Sequence, residues 1–218
     1  MKRSAKEWGI RMVILLIGLI IAHLGVTLFL LSDLGSDPFN VFVQGLFRTG
    51  DRLTHLPSLT HGRTHMAVSL LIVIILLIVD RTYIKIGTAL CMLFGGPIID
   101  FFTRILQPIT ESTGIVPHVC MLVAGCVILA YGMTIVIRSD AGTGPNDLVA
   151  LVISDKAHFR FSITRIAVDA VFALSGFLLG GTMGVGTLVC MFLVGPVAGY
   201  FLPINGRVVE KIVGRFCR

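Results

Sequence analysis

Hydrophobic residues in this chain come in long unbroken runs, and the polar residues gather between them. The first run, Met12–Leu31, holds twenty residues without a charge. About 20 apolar residues, rising 1.5 Å each in a helix, cross the hydrocarbon core of a bilayer. Met66–Val79 is a shorter run ending at Asp80, Ile86–Phe102 is a third that carries Asp100, and Ser112–Ile137 is a fourth without charge. Ile166–Leu179 carries Asp169, and Val185–Leu202 completes the series. Only a stretch with Gly180, Gly181 and Gly184 separates the last two runs, which predicts a glycine-rich turn. The pattern predicts six transmembrane helices. The short alternating strands of a membrane barrel are not visible.

Composition supports this reading. The chain has 218 residues, 55% hydrophobic and 14% charged, whereas soluble domains average roughly 45–50% apolar and 25% charged. The length suits a single membrane domain over 1–218. The first run lacks a small-residue cleavage site, so no secretory signal is expected. Cys91, Cys120, Cys126, Cys190 and Cys217 form no CxxC pair. Four of them lie inside apolar runs, where cysteine acts as a small hydrophobe, so neither a disulfide nor a metal site is assigned, and no cofactor is expected.

The net charge of +6 would suit nucleic acid if the basic residues formed a stripe. They flank the apolar runs instead, as topogenic charges do, so no nucleic-acid partner is expected. Counted on alternate sides of six spans, fourteen Lys and Arg fall with the two chain ends, and four (Arg48, Arg52, Arg63 and Arg104) fall opposite. Positive charge marks the cytoplasmic side. Both termini are therefore expected in the cytoplasm. The tail 205–218 is amphipathic, with Val208, Val209, Ile212, Val213 and Phe216 on one face, and predicts a helix lying in the cytoplasmic interface. An ordinary solvated tail is the alternative.

The chain also repeats itself. IGLIIAHLGVTLFLLSDLGSDPFN aligns with AGCVILAYGMTIVIRSDAGTGPND at an offset of 107 residues, pairing Gly18 with Gly125, Gly25 with Gly132, Gly35 with Gly142 and Pro38 with Pro145. IGTALCMLFGGPIIDFF aligns with VGTLVCMFLVGPVAGYF at an offset of 99, pairing Gly87 with Gly186, Thr88 with Thr187 and Gly96-Pro97 with Gly195-Pro196. Two ordered blocks define one repeat over about 10–108 and a second over about 117–203. Three spans per repeat is an odd number, so the second repeat enters the membrane from the opposite side. The expected fold is an all-α membrane protein, six helices in a 3+3 inverted-topology repeat, a construction common among secondary transporters.

Candidate chemistry lies in the repeated turns and inside the spans. In SDLGSDPFN and SDAGTGPND a glycine is expected to end one helix and a proline to start a short second one. The following PFNVFVQGLF and PNDLVALVI are too short to span and predict half-helices, whose free amides suit an anion. Asp33, Asp37, Asn40, Asp140, Thr143, Asn146 and Asp147 in the same turns suit a cation or proton, or serve only as helix caps. Asp169 is the sharper candidate. A carboxylate in the bilayer core costs about 3 kcal/mol on insertion scales unless it is paired. Arg165, one turn earlier, is the expected partner, snorkelling toward the cytoplasmic end. The alternative is a static ion pair. Asp100 lies nearer the external end of its span, and its repeat partner is Gly199. His23 sits mid-span, where a hydrogen bond to a neighbouring helix is expected. His55, His61 and His65 match no zinc spacing. The Gly-Pro pairs of the third and sixth spans predict close packing or hinges.

On the SDLGSDPFN turn and the IGTALCMLFGGPIID segment, the chain resembles the YczE/YyaS/YitT group of bacterial integral membrane proteins over about residues 10–203. The resemblance implies a multi-pass protein of the bacterial cytoplasmic membrane and supplies no catalytic set. The functional expectation is a small secondary transporter or exporter of a small solute or ion. A non-transporting membrane protein that regulates a protein partner is second, and an intramembrane enzyme third. No HExxH or GxSxG motif occurs, so catalysis is not expected. The lipid bilayer, a small solute or ion, and a protein partner or second copy are the expected partners.

Overall fold

The computed structural model describes residues 4–54, 60–110 and 114–216. His55 and Cys217 lie outside them. The described residues form helices α1 (Ala5–Leu31), α2 (Pro38–Thr54), α3 (His61–Asp80), α4 (Ile86–Thr110), α5 (Ile115–Ser139), α6 (Pro145–Ala157), α7 (Phe161–Leu178) and α8 (Val185–Phe216), with a single 3-10 turn at Arg81–Tyr83. No strand occurs among them. Six helices are long and apolar enough to cross a membrane: α1, α3 with its 3-10 extension, α4, α5, α7 and α8. The other two helices begin at Pro38 and Pro145, as the turn sequences predict, but α2 runs on past the expected segment through Arg48 to Thr54, 17 residues against 13 in α6. Proline at the first helical position gives up only an amide that a helix start leaves unpaired.

At the centre, α1 packs along α5. Glycine makes this contact possible. A Cβ on Gly25 would stand 2.2 Å from the Leu129 backbone nitrogen, and one on Gly132 would stand 2.3 Å from that of Ala22. Backbones this close gain dispersion along their whole length, the usual source of helix association in lipid. Around this pair, α4 packs on α1 and α8 on α5, while α2 packs on α7 and α6 lies against both α3 and α7. The main core joins Phe29, Leu122, Cys126, Met133, Val194 and Ala198.

The repeated turns are tied to the starts of the last helix of the opposite repeat. Gly186 N donates to Leu34 O at 2.8 Å, and Gly87 N donates to Ala141 O at 2.9 Å. The 107-residue offset pairs Leu34 with Ala141, and the 99-residue offset pairs Gly87 with Gly186, so the two bonds are copies of each other.

Three expectations change. The turn glycines do not end the helices; the left-handed residues after α1 and α5 are Asp33 (φ 50°) and Asp140 (φ 53°). Aspartate tolerates this region because its short side chain bonds locally. Gly35 and Gly142 instead let the chain pass close to α8 and α4; a Cβ on Gly142 would stand 2.3 Å from the Thr88 nitrogen. Second, α8 does not stop before the tail. It runs through Pro196 and Pro203 to Phe216, 32 residues in all. Val209 and Val213 bury against Ile14 of α1, and Glu210 pairs with Arg11, while Val208, Ile212 and Phe216 remain exposed. Burial against α1 offers this face more contact than a flat interface would. Third, the Gly-Pro pairs differ. Gly195 abuts the Ser162 carbonyl of α7, whereas Gly96 faces open space.

Candidate functional site

Asp169 lies midway along α7 and is 1% exposed. Arg165 precedes it by one helical turn, and its Nε donates to Asp169 Oδ2 at 2.9 Å. The expected pair is present, but Arg165 does not snorkel outward; it is 7% exposed. Its Nη1 donates instead to Asp147 Oδ1, at 2.6 Å, in the first turn of α6. A guanidinium has five donors, and a buried one needs more acceptors than a single carboxylate supplies. The half-helix provides the second. Proline at 145 starts α6 with Asp147 facing α7, and Gly144 caps the helix without a side-chain bond.

More charge converges on this pair from elsewhere in the bundle. Asp37 and Asp147 both lie within electrostatic reach of Asp169, His23 of α1 within reach of Asp147, and His65 of α3 within reach of Asp37. Two carboxylates thus hold one guanidinium, with Asp37 near Asp169 as a further acid, and the region is net acidic when the histidines are neutral. That balance suits a cation or a proton better than an anion. Among the described residues, no group of His, Cys, Asp and Glu has the geometry of a metal site.

The remaining candidates divide. Asp37 caps α2: its Oδ1 accepts from Asn40 N at 3.1 Å, and its Oδ2 from Asn40 Nδ2 at 2.5 Å. Helix capping therefore accounts for Asp37 and Asn40, although Asp37 still adds charge to the centre. Asp33 is exposed. Asp140 pairs with Lys85, and both line a cavity of about 280 Å³ with Tyr83 and Thr143. Thr143 is buried, and its hydroxyl has no hydrogen-bond partner among the described residues. Asn146 is half-buried beside Gly144. Asp100 is exposed on α4. His23 bonds through Nδ1 to Leu19 O of its own helix at 2.8 Å, not to a neighbour, while its Nε2 rests against Gly95 of α4.

Residues outside the sequence-based set also hold the site. Gln44 Oε1 accepts from Thr182 N at 2.7 Å and from Thr182 Oγ1 at 2.6 Å, and Arg48 Nη1 donates to Gly180 O at 2.7 Å. These bonds fix α2 to the turn between α7 and α8. Along the chain, Arg48 reads only as a topogenic charge.

A sequence profile described as "Family of unknown function (DUF6198)" matches residues 9–203. An uncharacterized membrane protein of Bacillus subtilis, YczE, is 29% identical over 199 residues, spanning 91% of this chain and 88% of the relative. An uncharacterized protein of Haemophilus influenzae is 26% identical over 196 residues, covering 89% and 84% of the two chains. YyaS, an uncharacterized protein of Bacillus subtilis, is 25% identical over 191 residues, covering 88% and 92%. No solved structure matches the chain.

Proposed function

The chain belongs to the DUF6198 family, and from its buried ionic centre we propose that it is a small secondary transporter or exporter of a small solute or ion. The observation that carries the proposal is Arg165, buried in a spanning helix and shared between Asp169 of that helix and Asp147 of a half-helix. Intramembrane ionisable groups at the start of a broken helix mark ion and substrate paths in many transporters. A cation or proton entering this centre would compete with Arg165 for the carboxylates, and release of Asp147 would free α6 from α7. That supplies a two-state element whose balance a bound cation shifts.

Further support for an inverted 3+3 repeat comes from the paired bonds at Leu34 and Ala141 and from the odd number of spans per repeat. Two arrangements of such a repeat have similar energies and open to opposite sides. The proposed setting is the bacterial cytoplasmic membrane, with both termini in the cytoplasm, on the Lys/Arg distribution. Catalysis forms no part of the proposal.

One observation favours a second reading. Asp169 and Arg165 are almost wholly enclosed, as a static pair that fixes helix packing would be, and a non-transporting membrane protein acting through a partner would need no more. Proteoliposome flux separates the two. Wild type loaded with a pH-sensitive dye should show solute-driven or cation-driven flux with some member of a small-cation library. Asp169→Asn, folded and inserted equally, should lose it. Equal flux in both proteins removes the coupling role and leaves the partner-protein reading.

A further inference from the structure

An apolar groove of about 590 Å³ lies between α3 and α6, lined by Ile75 and Val79 of α3, Val152 and Ile153 of α6, and Phe172 of α7, with Lys156 as its charged lining residue. Its origin is a difference between the two half-helices. At the corresponding contact of the other half-helix, α2 seats tightly on α7, where a Cβ on Gly45 would stand 2.3 Å from the Gly176 carbonyl oxygen. The 107-residue offset puts Val152 where Gly45 stands. The β-branched side chain at that position is buried against Leu76 of α3 and bars the backbone-to-backbone approach that glycine permits α2 on α7, and the groove lies beside this contact.

We propose that this groove binds one glycerophospholipid, with an acyl chain along the apolar walls and the phosphate on Lys156. The volume falls within the range of about 300–1,000 Å³ typical of ligand pockets. The walls belong to helices apolar enough to span a membrane, so the molecule at hand to fill them is a lipid, and an unfilled apolar groove forfeits dispersion on every wall. Charge supplies the headgroup preference. Lys156 is at the last turn of α6, and its Nζ donates to Asp80 Oδ2 at 3.0 Å. An ammonium has three donors, so this bond leaves others for a phosphate oxygen, with which lysine forms a strong charge-assisted bond. The long stem of Lys156 lines the groove while its head stays polar. The lipid would brace the outer face of α6, the helix that holds Asp147 against Arg165. The inference is independent of transport.

Native mass spectrometry on the full chain in detergent, titrated with 1-palmitoyl-2-oleoyl phosphatidylglycerol, tests it. Wild type should bind one phospholipid well before further lipids adhere. Val152→Trp fills the groove and should weaken that first binding at least tenfold. Ile78→Trp, at an exposed position on α3 outside the groove lining, should leave it unchanged. Diacylglycerol with the same chains should bind wild type several-fold more weakly than the phospholipid, and Lys156→Gln should abolish that difference. If Val152→Trp lowers the melting temperature too far to interpret, Ala157→Leu fills the groove from its other lining helix position and should act alike. First-site binding that is unchanged in the groove-filled protein overturns the site. Equal binding of diacylglycerol and phospholipid to wild type overturns the role of Lys156.

Discussion

Arg165 on α7 and Asp147 on α6 meet at 2.6 Å, although eighteen residues and a change of helix separate them. The bond ties the start of a half-helix to the middle of the bundle, and it turns an expected pair into a three-residue centre. Breaking a buried pair from one side leaves an uncompensated charge and costs about 3–5 kcal/mol. Arg165→Met should therefore lower the melting temperature in detergent sharply. Arg165→Met combined with Asp147→Asn and Asp169→Asn should recover much of the loss. Additive losses in the triple variant would show that the three groups do not act as a unit.

Gly25 and Gly132 set the α1–α5 approach. Gly25→Ala should destabilise by about 1–3 kcal/mol through overpacking, because its Cβ would strike backbone that cannot rotate away. Gly96→Ala meets nothing within 4 Å and should be neutral or gain up to about 1 kcal/mol from helix propensity. Thermal unfolding of the two variants in one detergent compares them directly. Equal melting temperatures would count against the close contact.

Asp33 is exposed with positive φ, which argues for a backbone role. Asp33→Gly should keep both stability and flux, since glycine adopts this conformation freely. Asp33→Val should cost about 1–2 kcal/mol, because a β-branched side chain crowds the left-handed conformation and lacks the local bond that lets aspartate adopt it. Flux lost in a folded Asp33→Gly protein would give the carboxylate a functional role beyond the backbone.

Topology is checked by cysteines introduced at Asp51, at the end of α2, and at His158, between α6 and α7. Intact right-side-out cells should label Asp51→Cys with an impermeant maleimide, and His158→Cys should label only after permeabilisation. Labelling of both from one side would remove the inverted arrangement.

Much of the architecture was present in the order of residues. Hydrophobic length specifies a spanning helix without help from neighbours, because lipid leaves a backbone no other way to satisfy its hydrogen bonds. Proline at 38 and 145 likewise marked two helix starts, and the spacing of Arg165 and Asp169 put them on one face of α7. The tertiary structure decided what lies between elements. That the tail helix docks on α1, and that Gly195 abuts α7 while Gly96 faces open space, depends on which faces meet. The same holds for the central site. Arg165 would have lacked a second acceptor had α6 packed elsewhere, and only the convergence of α6 on α7 brings Asp147 within 2.6 Å. Charges that lie far apart along a chain are paired by the fold, since the cost of burying either one alone is local, whereas its partner is not.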